Sequence, residues 1–185
     1  MAEAGDRPFV SVRFAVLTVS DTRGLDEDRS GETLAERIRA AGHQLADRKI
    51  VPDDLRKIRA AVRRWIADPR VDVVITTGGT GFTGRDVTPE AVEPLFDKRM
   101  DGFSTIFHML SHAKIGTSTI QSRATAGLAK GTFIFALPGS PGACRDAWDW
   151  ILAKQFDYRQ PPCNFVEIMP RLDEHLKRKK LRAKA

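Results

Sequence analysis

Segments with strand patterns alternate with amphipathic helical patterns along most of this chain. Short runs of apolar and β-branched residues are typical of strands, and the most apolar of them suit strands that are covered on both faces. The strand patterns occupy residues 14–19, 45–51, 71–75 and 132–137. Strands that alternate with helices predict an α/β fold, a three-layer sandwich in which helices cover both faces of a mostly parallel central sheet.

Residues that start and stop helices punctuate the same pattern. Ser30 is the predicted N-cap of the first helix, and Gly42 ends it. Thr88 followed by Pro89 predicts the N-cap and the first residue of a later helix. Residues 115–131 are mostly polar and small, and they are predicted as a linker.

Length and charge favour one domain with a basic end. The chain has 185 residues and a formal net charge of +6, but six lysines and arginines lie in the last nine residues, and the rest of the chain is neutral. A basic end of this kind is typical of a solvated tail, and nucleic-acid binding is not expected. We expect a flexible N-terminus at residues 1–12, a single domain at residues 13–170 and a basic C-terminal tail at residues 171–185.

Cysteine usage and hydropathy predict a cytoplasmic protein. Cys144 and Cys163 provide neither a disulfide framework nor a metal-ligand spacing, which suits a reducing compartment. No apolar run approaches the ~18 residues of a membrane span, so no membrane association is expected. His108 and His112 are four residues apart on a predicted helix. They lack the glutamate of a zinc-binding HExxH motif, so ordinary surface or half-buried histidines are favoured over a zinc site.

A glycine-rich segment, residues 77–86, is the most informative for function, and we call it the glycine loop. Its glycines allow a ligand to approach the backbone closely, and its threonines offer hydroxyl donors. Asp86 adds a carboxylate that suits a hydrated Mg²⁺. These features predict a phosphate-binding pocket. The candidate binding residues are Thr77, Gly78, Gly79, Thr80 and Gly81, together with Thr88 at the helix start.

Two other interpretations of the glycine loop remain open. Gly79-x-Gly81-x-x-Gly84 matches the dinucleotide fingerprint, which would indicate a nicotinamide-dependent reductase that binds NAD. In dinucleotide-binding folds the fingerprint follows the first strand and leads directly into a helix, whereas this loop follows the third predicted strand. The loop is also compatible with a tight structural turn.

Polar loops follow three of the predicted parallel strands. Ser20 and Asp21 follow the first strand, the glycine loop follows the third, and residues 138–143 follow the fourth. The carboxyl ends of parallel strands converge on one crevice, so the three loops predict a shared site for a highly phosphorylated ligand. The last of these loops contributes Pro138, Gly139, Ser140 and Gly142.

Four separate segments resemble the molybdenum cofactor biosynthesis family of MoaB and MogA proteins. They are residues 16–23, 76–91, 122–124 and 137–142, and the resemblance covers about residues 14–164. Residues 115–124 and 159–165 are similar to the MoaB branch. The resemblance implies the MoaB/MogA molybdopterin-binding fold, assembled as a homotrimer or a hexamer. Large apolar residues, namely Phe103, Phe107, Trp148 and Trp150, also predict an oligomer.

The same resemblance implies an adenylyltransferase. In that reaction the terminal phosphate of molybdopterin attacks the α-phosphorus of Mg·ATP, and pyrophosphate is released. The resemblance assigns Asp53 and Asp86 as the essential acids and magnesium ligands, and Ser122 to the handling of the pterin. Taken alone, Asp53 also suits a helix N-cap, and Asp86 a loop-ordering turn. The non-enzymatic alternative is a carrier that binds molybdopterin and passes it to another protein of cofactor biosynthesis.

Overall fold

The computed structural model describes residues 7–22, 24–172 and 174. Within these residues, six strands form one sheet in the order β2-β1-β3-β6-β5-β4. The strands are β1 (Arg13–Val19), β2 (Gln44–Val51), β3 (Val73–Thr77), β4 (Lys98–Arg99), β5 (Thr125–Ala129) and β6 (Thr132–Leu137). The first three and β6 are parallel, whereas β5 is antiparallel to both of its neighbours. The prediction of a mostly parallel sheet is confirmed.

Helices cover both faces of this sheet. One face carries α1 (Arg29–Ala40), α4 (Asp101–Ile115) and α5 (Pro141–Ala147), and the other carries α2 (Leu55–Ile66) and α3 (Thr88–Val92). A π-helical turn, Trp148–Leu152, continues α5 into α6 (Ala153–Gln155), and α7 spans Phe165–Ile168. None of the described helices is long and apolar enough to cross a membrane.

The alternation of side chains along β1 explains the three layers. Phe14 and Val16 belong to the hydrophobic cluster under α1, α4 and α5, whereas Ala15 and Leu17 belong to the cluster under α2 and α3. Successive side chains of a strand point to opposite faces, so a strand that is apolar throughout feeds both clusters. β3 and β6 alternate in the same way.

Two helix starts differ from the prediction. Asp28, not Ser30, is the N-cap of α1, and its carboxylate accepts a hydrogen bond from an amide of the first turn. Val87 precedes α3 without a side-chain cap, so Thr88 is the first helical residue and not the N-cap. The Thr88 hydroxyl instead donates to the carbonyl of Gly78, at 2.8 Å. Tertiary contacts account for both differences, because the Asp28 carboxylate also accepts from Thr18 and Arg48, and the Thr88 hydroxyl is used by the glycine loop.

The prediction of a linker at residues 115–131 is wrong. This stretch contains a 3₁₀ turn, Gly116–Gln121, followed by β5. Lys130 and Gly131 then join β5 to β6 as a two-residue hairpin in which both residues have positive φ, 49° and 88°. Positive φ at both positions matches the right-handed twist of the flanking strands.

The N-terminal segment from residue 7 to residue 12, which was predicted as flexible, contacts the body of the fold. The amide of Val12 donates to Nδ1 of His43, at 3.2 Å, and the Ser11 hydroxyl donates to the carbonyl of Gly42, at 3.0 Å. Residues 1–6, residue 173 and residues 175–185, which include most of the predicted basic tail, lie outside the described residues. The domain boundaries therefore stay predictions.

Candidate functional site

A cleft of about 540 Å³ opens at the carboxyl ends of β1, β3 and β6. Its position follows from the topology, because β2 lies on one side of β1 and β3 on the other, and the loops that leave β1 and β3 diverge there. Most of the residues that the sequence proposed as a site line this cleft. They are Ser20, Asp21, Asp53, Gly78, Gly79, Thr80, Gly81, Asp86, Ser122, Pro138, Gly139 and Ser140.

Three proposed binding residues do not line the cleft. The Thr77 hydroxyl donates to the carbonyl of Pro138, at 2.9 Å, and the Thr88 hydroxyl donates to that of Gly78. These hydroxyls hold the loops to one another, which corrects the expectation that they face a ligand. Gly142 is the second residue of α5 and lies behind the Ser140 cap.

Two glycines at the start of the glycine loop are required by its close packing. Gly78 and Gly79 have positive φ, 103° and 63°. A Cβ atom on Gly78 would lie 2.3 Å from the carbonyl oxygen of Val19, and one on Gly79 would lie 2.9 Å from Oδ1 of Asp53. Any larger residue would therefore separate this loop from the exit of β1 and from the Asp53 carboxylate.

Three carboxylates surround the cleft, and they differ in electrostatic environment. The amide of Asp53 donates to Oδ1 of Asp21, at 3.1 Å. Burial, followed by the negative charges of Asp21 and Asp86, raises the pKa of Asp53, and the positive charge of Arg85 acts against this shift. Burial also opposes ionisation of Asp86, but hydrogen bonds from Thr83 and from the amide of Gly81, together with the charge of Arg123, lower the pKa of Asp86. A cation bound between Asp53 and Asp86 would relieve the repulsion that Asp53 experiences.

The hydrogen bonds of Asp53 and Asp86 test whether each acid has a structural role, as a helix cap or as a loop-ordering residue. Asp54, not Asp53, caps α2 by accepting from the amide of Lys57, at 2.9 Å. The N-cap interpretation of Asp53 is therefore wrong. Asp86 does order its loop, since Oδ2 accepts from the amide and the hydroxyl of Thr83, at 2.9 and 2.6 Å. Its Oδ2 is thus already hydrogen-bonded within the loop.

Ser122 brings an unpartnered polar group to the cleft wall. Its Oγ is buried and has no hydrogen-bond partner among the described residues. An unsatisfied buried hydroxyl costs on the order of 1–3 kcal/mol, which a ligand that bonds to it would recover. The carbonyl of Ser122 contacts Nε2 of His108, at 3.0 Å, and Nδ1 of the same ring contacts the carbonyl of Ser104, at 2.6 Å. Both nitrogens of His108 are therefore used within the fold rather than for a metal.

Four lining residues were not among the proposed site residues: Val19, Thr22, Arg85 and Gln121. Arg85 is the most informative of them, because its guanidinium forms an ion pair with Asp21 across the mouth of the cleft. An arginine next to Asp86 in a loop with predicted phosphate-binding character was a usable signal. Gln121 was missed because its segment was interpreted as a linker.

Comparison with known proteins agrees with this architecture. A family described as a probable molybdopterin binding domain matches residues 15–158. This chain belongs to that molybdopterin-binding family. Molybdenum cofactor biosynthesis protein B of Escherichia coli (strain K12) is 52% identical over 157 residues, which cover 85% of this chain and 92% of that protein. The family resemblance that the sequence motifs indicated is confirmed.

Solved structures of the molybdopterin-binding family share the fold. A crystal structure of Molybdenum cofactor biosynthesis protein B matches with a TM-score of 0.78 and 41% identity, over 80% of this chain and 93% of that one. The tungsten cofactor synthesizing protein MoaB from Pyrococcus furiosus matches with a TM-score of 0.72 and 38% identity, over 79% of this chain and 93% of that one. The predicted fold class is confirmed.

Proposed function

We propose that this protein binds molybdopterin and transfers AMP from Mg·ATP to its terminal phosphate, as a step of molybdenum cofactor biosynthesis. A phosphate oxygen of the pterin forms a bond to the α-phosphorus of ATP, the bond from that phosphorus to the bridging oxygen breaks, and pyrophosphate leaves. The observation that carries this proposal is the meeting, in one cleft, of the glycine-loop backbone, the carboxylates of Asp53 and Asp86, and the unpartnered hydroxyl of Ser122.

The acidic residues of the cleft fit a magnesium ion. Mg²⁺ is usually held by one or two carboxylates, with water and substrate phosphate oxygens in the other positions. Asp53 and Asp86 lie against the same loop, next to Gly79 and Gly81 respectively. No group of three or more metal-ligating side chains occurs in the described part of the chain, so an all-protein metal cage is not what we propose. When bound, the ion would neutralise phosphate charge and polarise the α-phosphorus.

The other residues of the cleft then act by position and charge. Nucleophile and leaving group are both phosphates, so no covalent protein intermediate is needed, and catalysis reduces to in-line alignment and charge neutralisation. The amides of Gly79 and Thr80 would hold the nucleotide phosphates, whereas the amide of Gly78 donates to the carbonyl of Leu137, at 3.0 Å. Arg85 would exchange its pairing with Asp21 for a phosphate oxygen, which a planar guanidinium binds in a bidentate manner. Ser122 would hydrogen-bond to the pterin.

A pterin carrier without turnover is the second candidate. The hydrogen bonds between Asp86 and Thr83 favour it, because they give Asp86 a purely structural reason to be present. A carrier would use Ser122 and the loop at residues 138–142 to bind the pterin, and it would not need Asp53.

Turnover separates these candidates. Purified protein is incubated with molybdopterin and Mg·ATP while pyrophosphate and adenylyl-molybdopterin are measured. Production of both supports adenylyl transfer, whereas saturable pterin binding without pyrophosphate supports the carrier. A parallel titration with NAD tests the dinucleotide interpretation of Gly79-x-Gly81-x-x-Gly84, which would give NAD binding and no pyrophosphate.

We also propose that the chain assembles as a homotrimer or a hexamer, but for a different reason than the sequence suggested. Phe103, Phe107 and Trp148 are buried in the chain's own core, at 4%, 3% and 3% exposure, so they cannot form an interface. Other large apolar side chains, on α4 and on the 3₁₀ turn that follows it, are at least half exposed: Ile106, Met109, Ile115 and Ile120. Light scattering at micromolar concentration tests the proposal, and the mass of a monomer would refute it.

A further inference from the structure

The side chain of Arg123 lies against the glycine loop at several points. Its Nε donates to the carbonyl of Gly81, at 2.9 Å, and its Nη2 donates to that of Asp86, at 2.8 Å. Its Nη1 forms an ion pair with Glu90 at the start of α3. The main-chain amide of Arg123 donates to the carbonyl of Thr80, at 2.9 Å. Arg123 therefore contacts both the middle and the last residue of the glycine loop.

These contacts replace the hydrogen bonds that regular structure would supply. The glycine loop lies between β3 and α3, so the carbonyls of Gly81 and Asp86 have no strand or helix to bond to. A guanidinium presents its donors in a planar fork, which can serve two carbonyls and a carboxylate at the same time. Arg123 does not itself line the cleft, so its effect on a ligand must pass through the loop.

Ser122, the residue before Arg123, connects the glycine loop to helix α4. It lines the cleft and has a buried hydroxyl without a partner among the described residues. The carbonyl of Ser122 contacts the ring of His108 on α4. Movement of the glycine loop would therefore displace the segment that carries Ser122, because Arg123 bonds to the loop through both its main chain and its side chain.

We propose that Arg123 is a positioning residue that sets the conformation of the glycine loop and keeps Asp86 in register with Ser122 across the cleft. It fixes the main chain of Asp86, and the bonds from Thr83 then orient the carboxylate. The catalytic consequence of this role rests on the proposed adenylyl transfer. The structural consequence does not, and it can be measured without any substrate.

The structural consequence is tested by amide hydrogen exchange on Arg123→Lys. Lysine keeps the positive charge, but its single ammonium cannot serve both carbonyls and Glu90 in one plane. We expect exchange in peptides that cover residues 80–88 to be at least ~10-fold faster, as for the loss of one hydrogen bond to a charged group. Unchanged exchange in these peptides would overturn the proposal.

Arg70→Lys is the matched control. Arg70 is an exposed arginine that pairs with Asp68 near the amino end of β3, at the edge of the sheet opposite the cleft. The substitution Arg70→Lys should leave amide exchange in the glycine loop unchanged. If Arg123→Lys does not fold, Glu90→Gln removes only the ion pair, and a smaller acceleration in the same peptides is the expected result. No acceleration with Glu90→Gln would then count against the proposal.

The catalytic consequence is tested by steady-state kinetics. In Arg123→Lys we expect kcat to fall at least ~10-fold and the Mg²⁺ concentration for half-maximal rate to rise, with a KM for molybdopterin that changes less than kcat. Unchanged kcat together with faster loop exchange would overturn the positioning role. If the wild-type protein releases no pyrophosphate, adenylyl transfer is refuted, and the exchange experiment alone decides whether Arg123 positions the loop.

Discussion

At the amino edge of the sheet, where the parallel strands begin, Asp68 and Asp72 are each paired with an arginine. At the carboxyl edge, where these strands end, three aspartates surround one cleft, and among them Asp21 is paired with Arg85. Asp72 accepts two hydrogen bonds from the guanidinium of Arg13, at 2.8 and 2.5 Å. Asp68 is paired with Arg70 in the same way, and these hydrogen bonds lower the pKa of Asp68 to about 2. Each of these two acids is paired with an arginine.

Asp53 at the carboxyl edge has the opposite environment. It forms no ion pair with any residue that the structure describes, and burial and two neighbouring carboxylates raise its pKa. Proteins tolerate such local destabilisation mainly where a ligand or a reaction requires it. The contrast indicates that the amino edge serves stability, and it supports our proposal that the carboxyl edge binds a cation and phosphates.

The largest effect that we expect is the loss of turnover on removing either acidic charge of the cleft. Asp86→Asn and Asp53→Asn should each reduce pyrophosphate release at least ~100-fold, because each removes one preorganised charge from the site. Asn can still accept a hydrogen bond from Thr83, so the loop should survive in Asp86→Asn. Pterin binding, measured by titration, should persist in both variants.

Asp54→Asn is the matched control for Asp53→Asn. Asp54 is the next residue and caps α2, and Asn caps a helix about as well as Asp. It should leave turnover within about twofold of the wild type. Full adenylylation by either Asp53→Asn or Asp86→Asn would remove that residue from the catalytic assignment.

A moderate effect on stability, and none on turnover, is expected at the amino edge. Asp72→Ala leaves Arg13 without its bidentate partner, at a cost of about 1–2 kcal/mol. Thermal unfolding should show a midpoint lower by a few degrees, since the chain is of a size at which 1 kcal/mol corresponds to roughly 2–4 °C. If Asp72→Ala has wild-type stability but impaired turnover, the assignment of stability to the amino edge and of function to the carboxyl edge is wrong.

A smaller effect of opposite sign is expected for the stability of Asp53→Asn. At pH 7 the Asp53 carboxylate is disfavoured in the folded state, so neutral Asn should raise the unfolding midpoint by about 1–3 °C. The raised pKa sets the pH dependence. As the pH falls through that pKa, Asp53 becomes protonated in the folded protein, and the advantage of Asn should vanish below the ordinary carboxyl pKa of about 3.9. Melting curves at pH 7 and pH 3.5 measure this difference, and an advantage that persists at pH 3.5 would contradict the explanation from burial and like charges.

The smallest effect is expected from deleting residues 177–185. This segment lies outside the described residues, carries six positive charges and has only Leu181 to bury. Its like charges repel one another, so it should contribute little to the fold or to turnover. Light scattering and pyrophosphate release should match those of the full chain. A large loss of turnover with unchanged mass would place the tail in the site.

The strands β1, β3 and β6 were predictable because their residues are apolar on both faces, and so the position of the cleft at their carboxyl ends could be predicted too. β5 was not predictable, because its small residues are set by tertiary packing. A Cβ atom on Gly127 would lie 2.4 Å from the ring of Phe96. Local patterns carry no information about such a contact.

Within the site, the sequence was a better guide to backbone than to side chains. The need for glycine at Gly78 was predictable from the loop itself. The use of the Thr77 and Thr88 hydroxyls was not, because each donates to a carbonyl of a neighbouring loop that only the fold brings close. The contacts of Arg123 depend on the position of a segment that looked like a linker.

The division of β1 between two hydrophobic clusters has a consequence for how the molecule comes apart. Phe14 and Val16 pack in one cluster, and Ala15 and Leu17 pack in the other. If β1 leaves the sheet, both clusters therefore become exposed to solvent. The contacts that β1 makes with the two clusters are therefore broken together, which makes the sheet and both of its helical layers a single cooperative unit. The carboxyl-edge loops are outside that unit. Local opening of these loops would therefore leave the unit beneath them folded.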